Sequence, residues 1–356
     1  MALRRLQATD FRCLHRAELE LDPAFTLISG PNASGKTSLL EALYLLGRGR
    51  SFRTRRLDAL VRSGAEQFVL FGEVERADRR IAVGVEGADG RLRARIAGER
   101  ATSLAELAAV FPVQIIDPEV HHLIEEGPGR RRRYLDWGVF HVEPRFIEHW
   151  QRYQQALKQR NAALRAQATR PAVTAWDSEL ARAGEAVSEA RARYVERLAP
   201  VATALAGRLL EADLSLHYRR GWSADVSLAE ALERGFAKDV ETGSTQVGPQ
   251  RAELVLRLGG LPVKERISRG QQKLLAAVLL LAQLPLIPRE DALRPTLLLD
   301  DPAAELDAQR LEALLQTVQG EDLQLVVTTL QPTFAALGAP GRRYHLEAGM
   351  LQEVSG

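Results

Sequence analysis

The segment Gly30-Pro31-Asn32-Ala33-Ser34-Gly35-Lys36-Thr37 sets two glycines around four residues, followed at once by a cation and a hydroxyl. Glycines let a backbone turn tightly and aim its N–H groups at an anion, and the lysine adds a compact positive charge. Apolar Phe25-Thr26-Leu27-Ile28-Ser29 precedes the run and the helical pattern Ser38-Leu39-Leu40-Glu41-Ala42-Leu43 follows it. The turn therefore joins a strand to a helix N-terminus, where unpaired N–H groups and the helix dipole favour phosphate. In such a site Lys36 reaches the β and γ phosphates of ATP and Thr37 ligates Mg2+, while Gly30, Pro31, Asn32, Ala33, Ser34, Gly35 and Ser38 complete the cradle.

Further along, Thr296-Leu297-Leu298-Leu299-Asp300-Asp301 is an apolar strand ending in two carboxylates. Beside a metal-bound triphosphate, Asp300 would hold Mg2+ through water and Asp301 would orient or deprotonate the attacking water, with Lys36 as the third catalytic group. Glu305-Leu306-Asp307 then gives the next helix an acidic start, which ordinary capping also explains. Ser268-Arg269-Gly270-Gln271-Gln272-Lys273 opens a helix in the manner of the ABC signature, placing Ser268, Gly270 and Gln271 among the nucleotide-binding residues. In that signature the hydroxyl and the glycine N–H grip the γ phosphate bound to a second subunit. Together the four elements point to an ATPase that closes as a homodimer around two nucleotides.

Three basic clusters are candidates for DNA. Arg48, Arg50, Arg53, Arg55, Arg56 and Arg62 share a segment with only Asp58 as acid, Arg130 to Arg133 are consecutive, and Arg91, Arg93 and Arg95 alternate with Leu92, Ala94 and Ile96. Cationic side chains neutralise backbone phosphates without reading bases. Each cluster also fits a solvated face. No zinc finger, recognition helix or aromatic platform for base-specific binding stands out.

The elements that must position these groups are arranged as follows. The 356 residues are 46% apolar and 26% charged, with 48 basic against 46 acidic groups and a net charge of +2. That is a soluble, folding composition with room for two units at roughly 100–200 residues per domain. The lone Cys13 excludes an internal disulfide and fits a reducing compartment. Ala276 to Ile287, interrupted by Gln283 and Pro285, is too short to span a bilayer, so a cytoplasmic protein without membrane attachment is expected. Residues up to about 110 read as strands with one helix after the glycine loop, including a hairpin around Gly87-Ala88-Asp89-Gly90. From about 145 to 200 the apolar period becomes helical and Pro171 divides it, which predicts an antiparallel helical hairpin with arms of about five or six turns. The tail returns to an α/β pattern, with strands at Thr296 to Asp300 and Leu323 to Thr329. The fold class is thus α/β, an ABC-type P-loop ATPase head formed by residues 1–112 and 265–356, with a helical insertion at 113–264.

Over nearly its whole length the chain resembles the RecF family of bacterial recombination mediators. The resemblance is carried by Asp10-Phe11-Arg12, Gly30 to Thr37, Arg48-Gly49-Arg50-Ser51-Phe52-Arg53-Thr54, Arg130 to Trp137 with Phe140-His141, Val247-Gly248-Pro249, Ser268 to Lys273 and Leu298 to Asp307. It implies a protein that dimerises on ATP, binds DNA at single-strand gaps and junctions, and acts with RecO and RecR to promote RecA loading in repair, replication restart and SOS induction. Slow, DNA-stimulated hydrolysis would release the complex. It also implies that Gln114 senses metal and γ phosphate. Gln250 and Ala304 depart from the family pattern, and no sensor His follows Thr329, leaving Thr329 or Gln331 in that place. Two other uses stay open on the motifs alone: a transporter-type subunit acting on a membrane partner, and a scaffold that binds ATP without hydrolysing it.

Overall fold

The computed structural model describes residues 2–76, 79–263, 267–289, 294–304, 308–330 and 337–354. Met1–Val120 with Pro288–Gly356 forms one compact unit, and His121–Ile287 forms another. The first unit begins with β1 (Ala2–Phe11), β2 (Leu14–Glu20), β3 (Phe25–Ser29) and α1 (Lys36–Arg48). It continues through β4 (Gln67–Arg76), β5 (Arg79–Ala88), β6 (Arg91–Ile96), β7 (Glu99–Arg100), α2 (Ala105–Val110) and β8 (Val113–Ile116). The β5–β6 hairpin turns on Asp89 at φ 52° and Gly90 at φ 67°, the two positive φ values that a tight type I′ turn needs.

The second unit contains α3 (His122–Glu125), α4 (Pro128–Val142), α5 (Phe146–Arg165), α6 (Arg170–Thr174), α7 (Asp177–Leu210), β9 (Leu214–Arg219), α8 (Leu228–Thr242), β10 (Glu253–Leu258), β11 (Leu261–Pro262) and α9 (Arg269–Gln283). Helices α5 and α7 are the arms of the expected hairpin. The second arm runs to 34 residues because Pro200 does not end it. The unit is not purely helical, however, since β11, β10 and β9 form an antiparallel sheet. Short strands with few alternations, such as Leu214–Arg219, carry little period-2 signal beside long amphipathic helices. A buried ion pair holds the arms: Arg160 donates to Asp177 on α7 at 2.6 Å and to Asp239 on α8 at 2.7 Å.

Back in the first unit come β12 (Thr296–Asp300), α10 (Ala308–Gln319), β13 (Gln324–Thr329), β14 (Arg342–Glu347) and β15 (Met350–Glu353). One sheet is antiparallel, in the order β2-β1-β4-β5-β6-β7. The other, β15-β14-β3-β13-β12-β8, is parallel apart from its β14–β15 edge. β3, β12 and β13 are buried along their whole length, as continuous apolar strands of a parallel sheet should be. Helix α1 is buried nearly all round, and Leu39, Leu43 and Leu46 join Leu3, Phe68 and Leu298 in one core. Gln324, fully buried, ties the sheets together: it accepts from Leu3 N at 3.0 Å and donates to the carbonyls of Leu3 at 2.8 Å and Asp22 at 2.9 Å.

The boundaries expected at 112/113 and 264/265 differ from those of the compact units at two elements. β8 pairs with β12 in the parallel sheet of the first unit. α9 belongs to the second, where Tyr134 Oη on α4 donates to Leu279 O at 2.7 Å and Gln283 Nε2 donates to Tyr134 O at 3.0 Å.

Candidate functional site

In parallel sheets the C-terminal strand ends, with the helix N-termini that follow, form the usual crevice. β3 and β12 flank β13 with all three strands parallel, so the Ser29, Asp300 and Thr329 ends share one edge of the sheet. Gly30 follows directly, and its N–H donates to Thr329 O at 3.2 Å. A Cβ on Gly30 would stand 2.2 Å from Leu346 O, so β14 closes around the loop too tightly for any side chain there. Gly35 lies at φ 110° just before α1, and no side chain among the described residues caps the helix. The first-turn N–H groups are left for an anion.

The loop borders an open pocket of about 390 Å3 lined by Asn32, Ala33, Ser34, Gly35, Lys36, Thr37 and Ser38, with Cys13, Arg53, Pro118, Asp300 and Asp301. Lys36 is buried and folds back to donate to Gly30 O at 2.7 Å and Pro31 O at 2.8 Å. Gly30 and Pro31 thus act through their carbonyls, as the resting partners of the ammonium. Burial pulls Lys36 below the usual lysine range, opposed by the Asp301 and Asp300 carboxylates. Ser34 Oγ is buried with no hydrogen-bond partner among the described residues. An orphaned hydroxyl of this kind costs about 1–3 kcal/mol, which a phosphate oxygen would relieve.

Opposite the loop, the Thr37 hydroxyl donates to Asp300 Oδ2 at 2.9 Å, and Thr328 Oγ1 on β13 donates to Asp300 Oδ1 at 2.7 Å. Thr37 and Asp300 together offer hard oxygen donors, the set that suits Mg2+, which takes few protein ligands and keeps water and phosphate in the rest of its shell. Asp301 sits in the left-handed region at φ 44°, its N–H held by Thr328 O and Oγ1, both at 3.1 Å. Burial raises its carboxyl above the usual aspartate range, Lys36 opposes the rise, and Asp300 adds to it. A carboxylate whose proton affinity is raised beside a bound phosphate is suited to take a proton from water.

Ser268 is exposed at the start of α9 in a reciprocal capping box: its Oγ accepts from Gln271 N at 3.3 Å while Gln271 Oε1 accepts from Ser268 N at 3.0 Å. The Ser268 O–H remains able to donate outward, whereas Gln271 is engaged within its own helix. Gln114 is not among the residues lining the cavity. It is buried in β8 opposite Leu297, three residues short of Asp300 and so about 10 Å back along the strand. Pro118, beyond the end of β8, lines the cavity instead. Cys13, marked in the sequence only by its redox chemistry, Pro118, and Thr328, unmarked in a run of β-branched residues, are site residues that the sequence does not single out. Glu305, Leu306, Asp307 and Gln331 lie outside the described residues.

The arginines divide. Arg53 lines the nucleotide cavity and lies 3.6 Å from the buried Glu41, which also accepts from Nε and Nη2 of Arg12 and from the Ser51 hydroxyl. Arg48 packs over Tyr44 at 5.4 Å. Arg50 and Arg55 are exposed, and Arg56 is exposed but paired with Asp58 at 2.6 Å. Arg131, expected as a DNA contact, is buried: it bonds Glu253 at 2.8 Å and the carbonyls of Ile124 at 2.9 Å and Glu126 at 3.1 Å. Four consecutive helical residues cannot all face solvent, because successive positions turn through about 100°. Arg130 faces outward and pairs with Glu126 at 2.6 Å. Gln250 is half-buried and engaged within the fold, accepting from Tyr153 Oη and donating to Val247 O at 2.9 Å.

Fold and site define a P-loop ATPase head of the ABC/SMC type, and residues 2–340 match the RecF/RecN/SMC N-terminal domain family. The DNA replication and repair protein RecF of Erwinia tasmaniensis is 40% identical over 99% of this chain and 98% of its own length. That of Pseudomonas entomophila is 41% identical over 99% of both. The chain belongs to the RecF family. A solved structure of the recombination mediator RecF with ATP, of the RecFOR pathway, matches with a TM-score of 0.89 at 27% identity over 99% of this chain and 98% of that one. An Smc head bound to the winged-helix domain of ScpA matches with a TM-score of 0.60 at 15% identity over 99% and 98%, and shares the fold. No helix among the described residues is long and apolar enough to cross a membrane.

Proposed function

We propose that this chain is an ATP-driven DNA clamp of the recombination-mediator kind, which dimerises on ATP, engages DNA at single-strand gaps and junctions, and works with RecO and RecR to promote RecA loading. The observation that carries this is the cradle itself: buried Lys36, the orphaned Ser34 hydroxyl and the Thr37–Asp300 oxygen pair converge on one cavity. Mg2+ at that pair would neutralise phosphate charge. Lys36 leaves its carbonyl partners for the β and γ phosphates, Ser34 and the first-turn N–H groups of α1 hold phosphate oxygens, and Asp301 accepts a proton from the attacking water. Ser268 of each subunit donates to the γ phosphate held by the other. Hydrolysis serves as the release step and is slow, stimulated by DNA. A cytoplasmic location fits this role.

Light scattering with and without ATP, paired with DNA affinity across a salt series, tests the proposal. ATP should convert monomer to dimer and tighten DNA binding, and Lys36→Met should lose both effects. DNA affinity that ATP leaves unchanged in the native protein refutes the clamp.

A further inference from the structure

The outer face of the antiparallel sheet is electrostatically divided. Toward β1 and β4 two of its arginines are matched: Arg5 pairs with Glu18 and lies 3.7 Å from Glu73, and Arg80 on β5 lies 3.5 Å from Glu73, whereas Arg16 on β2 forms no ion pair with an acid among the described residues. Toward β6 and β7 the matching stops. Arg91, Arg93 and Arg95 are exposed on alternate positions of β6 while Ala94 between them is buried. Only Arg93 has an acid partner among the described residues, Glu86 at 2.8 Å.

The register makes this more than an arginine-rich surface. Arg95 stands directly opposite Arg100 on β7, and on its other side opposite Gly84 of β5. Like charges directly opposite on paired strands destabilise the pair. Gly84 offers no acid to relieve them, and a Cβ there would meet nothing nearer than Leu70 O at 3.9 Å, so the space beside Arg95 is open. Charge on a sheet edge also blocks edge-to-edge pairing, but either sign does that, and opposite signs would do it without the repulsion. An anionic ligand removes the conflict. Alternate residues of a strand lie about 6.7 Å apart, so Arg91 to Arg95 span about 13 Å. That length covers about four phosphates of a DNA strand at about 3.4 Å of rise each.

We propose that Arg91, Arg95 and Arg100 on the β6–β7 edge form a contact for the sugar-phosphate backbone of DNA, holding it by charge without reading bases. This rests on the DNA-binding function proposed above and moves its contact surface away from Arg53, Arg130 and Arg131, which are engaged internally or paired.

The test is fluorescence anisotropy of the full-length protein with ATP, Mg2+ and labelled gapped DNA over about 50–200 mM salt. The variant is Arg91→Ala/Arg95→Ala/Arg100→Ala, compared with Arg80→Ala from the matched part of the same face. The triple variant should bind all sequences more weakly. Its log–log salt slope should be shallower by about 2.7 if it lies on duplex, or about 2.1 on the single strand, at about 0.9 or 0.7 per phosphate lost. Arg80→Ala should keep the native slope, and the melting temperature of the triple variant should equal or exceed the native value. Native protein that binds DNA with a slope the triple variant shares overturns this inference alone. Native protein that binds no DNA overturns the DNA-binding function and this contact with it.

Discussion

Thr328→Val isolates the role of a hydroxyl that nothing in the sequence marks. Valine keeps the β-branched shape on β13 and removes one oxygen. That oxygen donates to Asp300 Oδ1 at 2.7 Å and accepts from Asp301 N at 3.1 Å. The Asp301 amide keeps Thr328 O at 3.1 Å, so no backbone donor is orphaned. Among the described residues Asp300 then keeps only the Thr37 hydroxyl as a hydrogen-bond donor, at 2.9 Å. A hydrogen bond to a charged group contributes about 1.5–3 kcal/mol, and the added methyl returns about 0.8 kcal/mol. The net loss is on the order of 1–2 kcal/mol, or about 2–8 °C in the melting temperature of a unit this size. Freed on one side, the Asp300 carboxylate no longer holds its orientation toward Thr37, and Mg2+–ATP affinity should fall about tenfold, equivalent to about 1.4 kcal/mol. Thr328→Ser, which restores the hydroxyl, should recover affinity although it loses a methyl. Calorimetric titration with Mg2+–ATP and thermal unfolding of the three proteins check this. If Thr328→Ser binds as weakly as Thr328→Val, packing and not the hydrogen bond positions Asp300.

Gly30→Ala pushes a Cβ against Leu346 O and should cost about 1–3 kcal/mol by overpacking while abolishing ATP binding, as denaturant titration and nucleotide titration would show. Asp301 has its folded-state proton affinity raised by burial, so its stability contribution is fully present below the unfolded value of 3.8 and is lost as pH rises through the folded value. Asp301→Asn is therefore expected to melt higher than the native protein near pH 7 while losing hydrolysis, and melting curves taken down to about pH 4 should converge. Arg131→Met leaves the buried Glu253 carboxylate unpaired and should cost about 3–5 kcal/mol. Its DNA salt slope, measured below the melting transition, should nonetheless match the native one.

The amino-acid sequence determined the chemistry of the nucleotide site by local pattern. Gly30 to Thr37 between an apolar strand and a helix, and the apolar run ending in Asp300-Asp301, each need only neighbouring residues to be legible, because strand, loop and helix N-terminus form one contiguous unit. The β5–β6 hairpin was legible for the same reason, since Asp89-Gly90 supplies the positive φ values its turn requires. Side-chain partners drawn from distant segments were decided only by the tertiary structure. Arg131 looks like its neighbours in sequence, and it is Glu253, more than a hundred residues away, that takes it out of solvent. Gln114 depends on strand register, which places it opposite Leu297 and away from the phosphate edge. Arg95 and Arg100 become a strained pair only once β6 and β7 align. Thr328 matters because parallel pairing sets β13 between β3 and β12, where its hydroxyl meets Asp300. Pattern carries what adjacent residues do together, whereas burial, register and pairing belong to the packed chain.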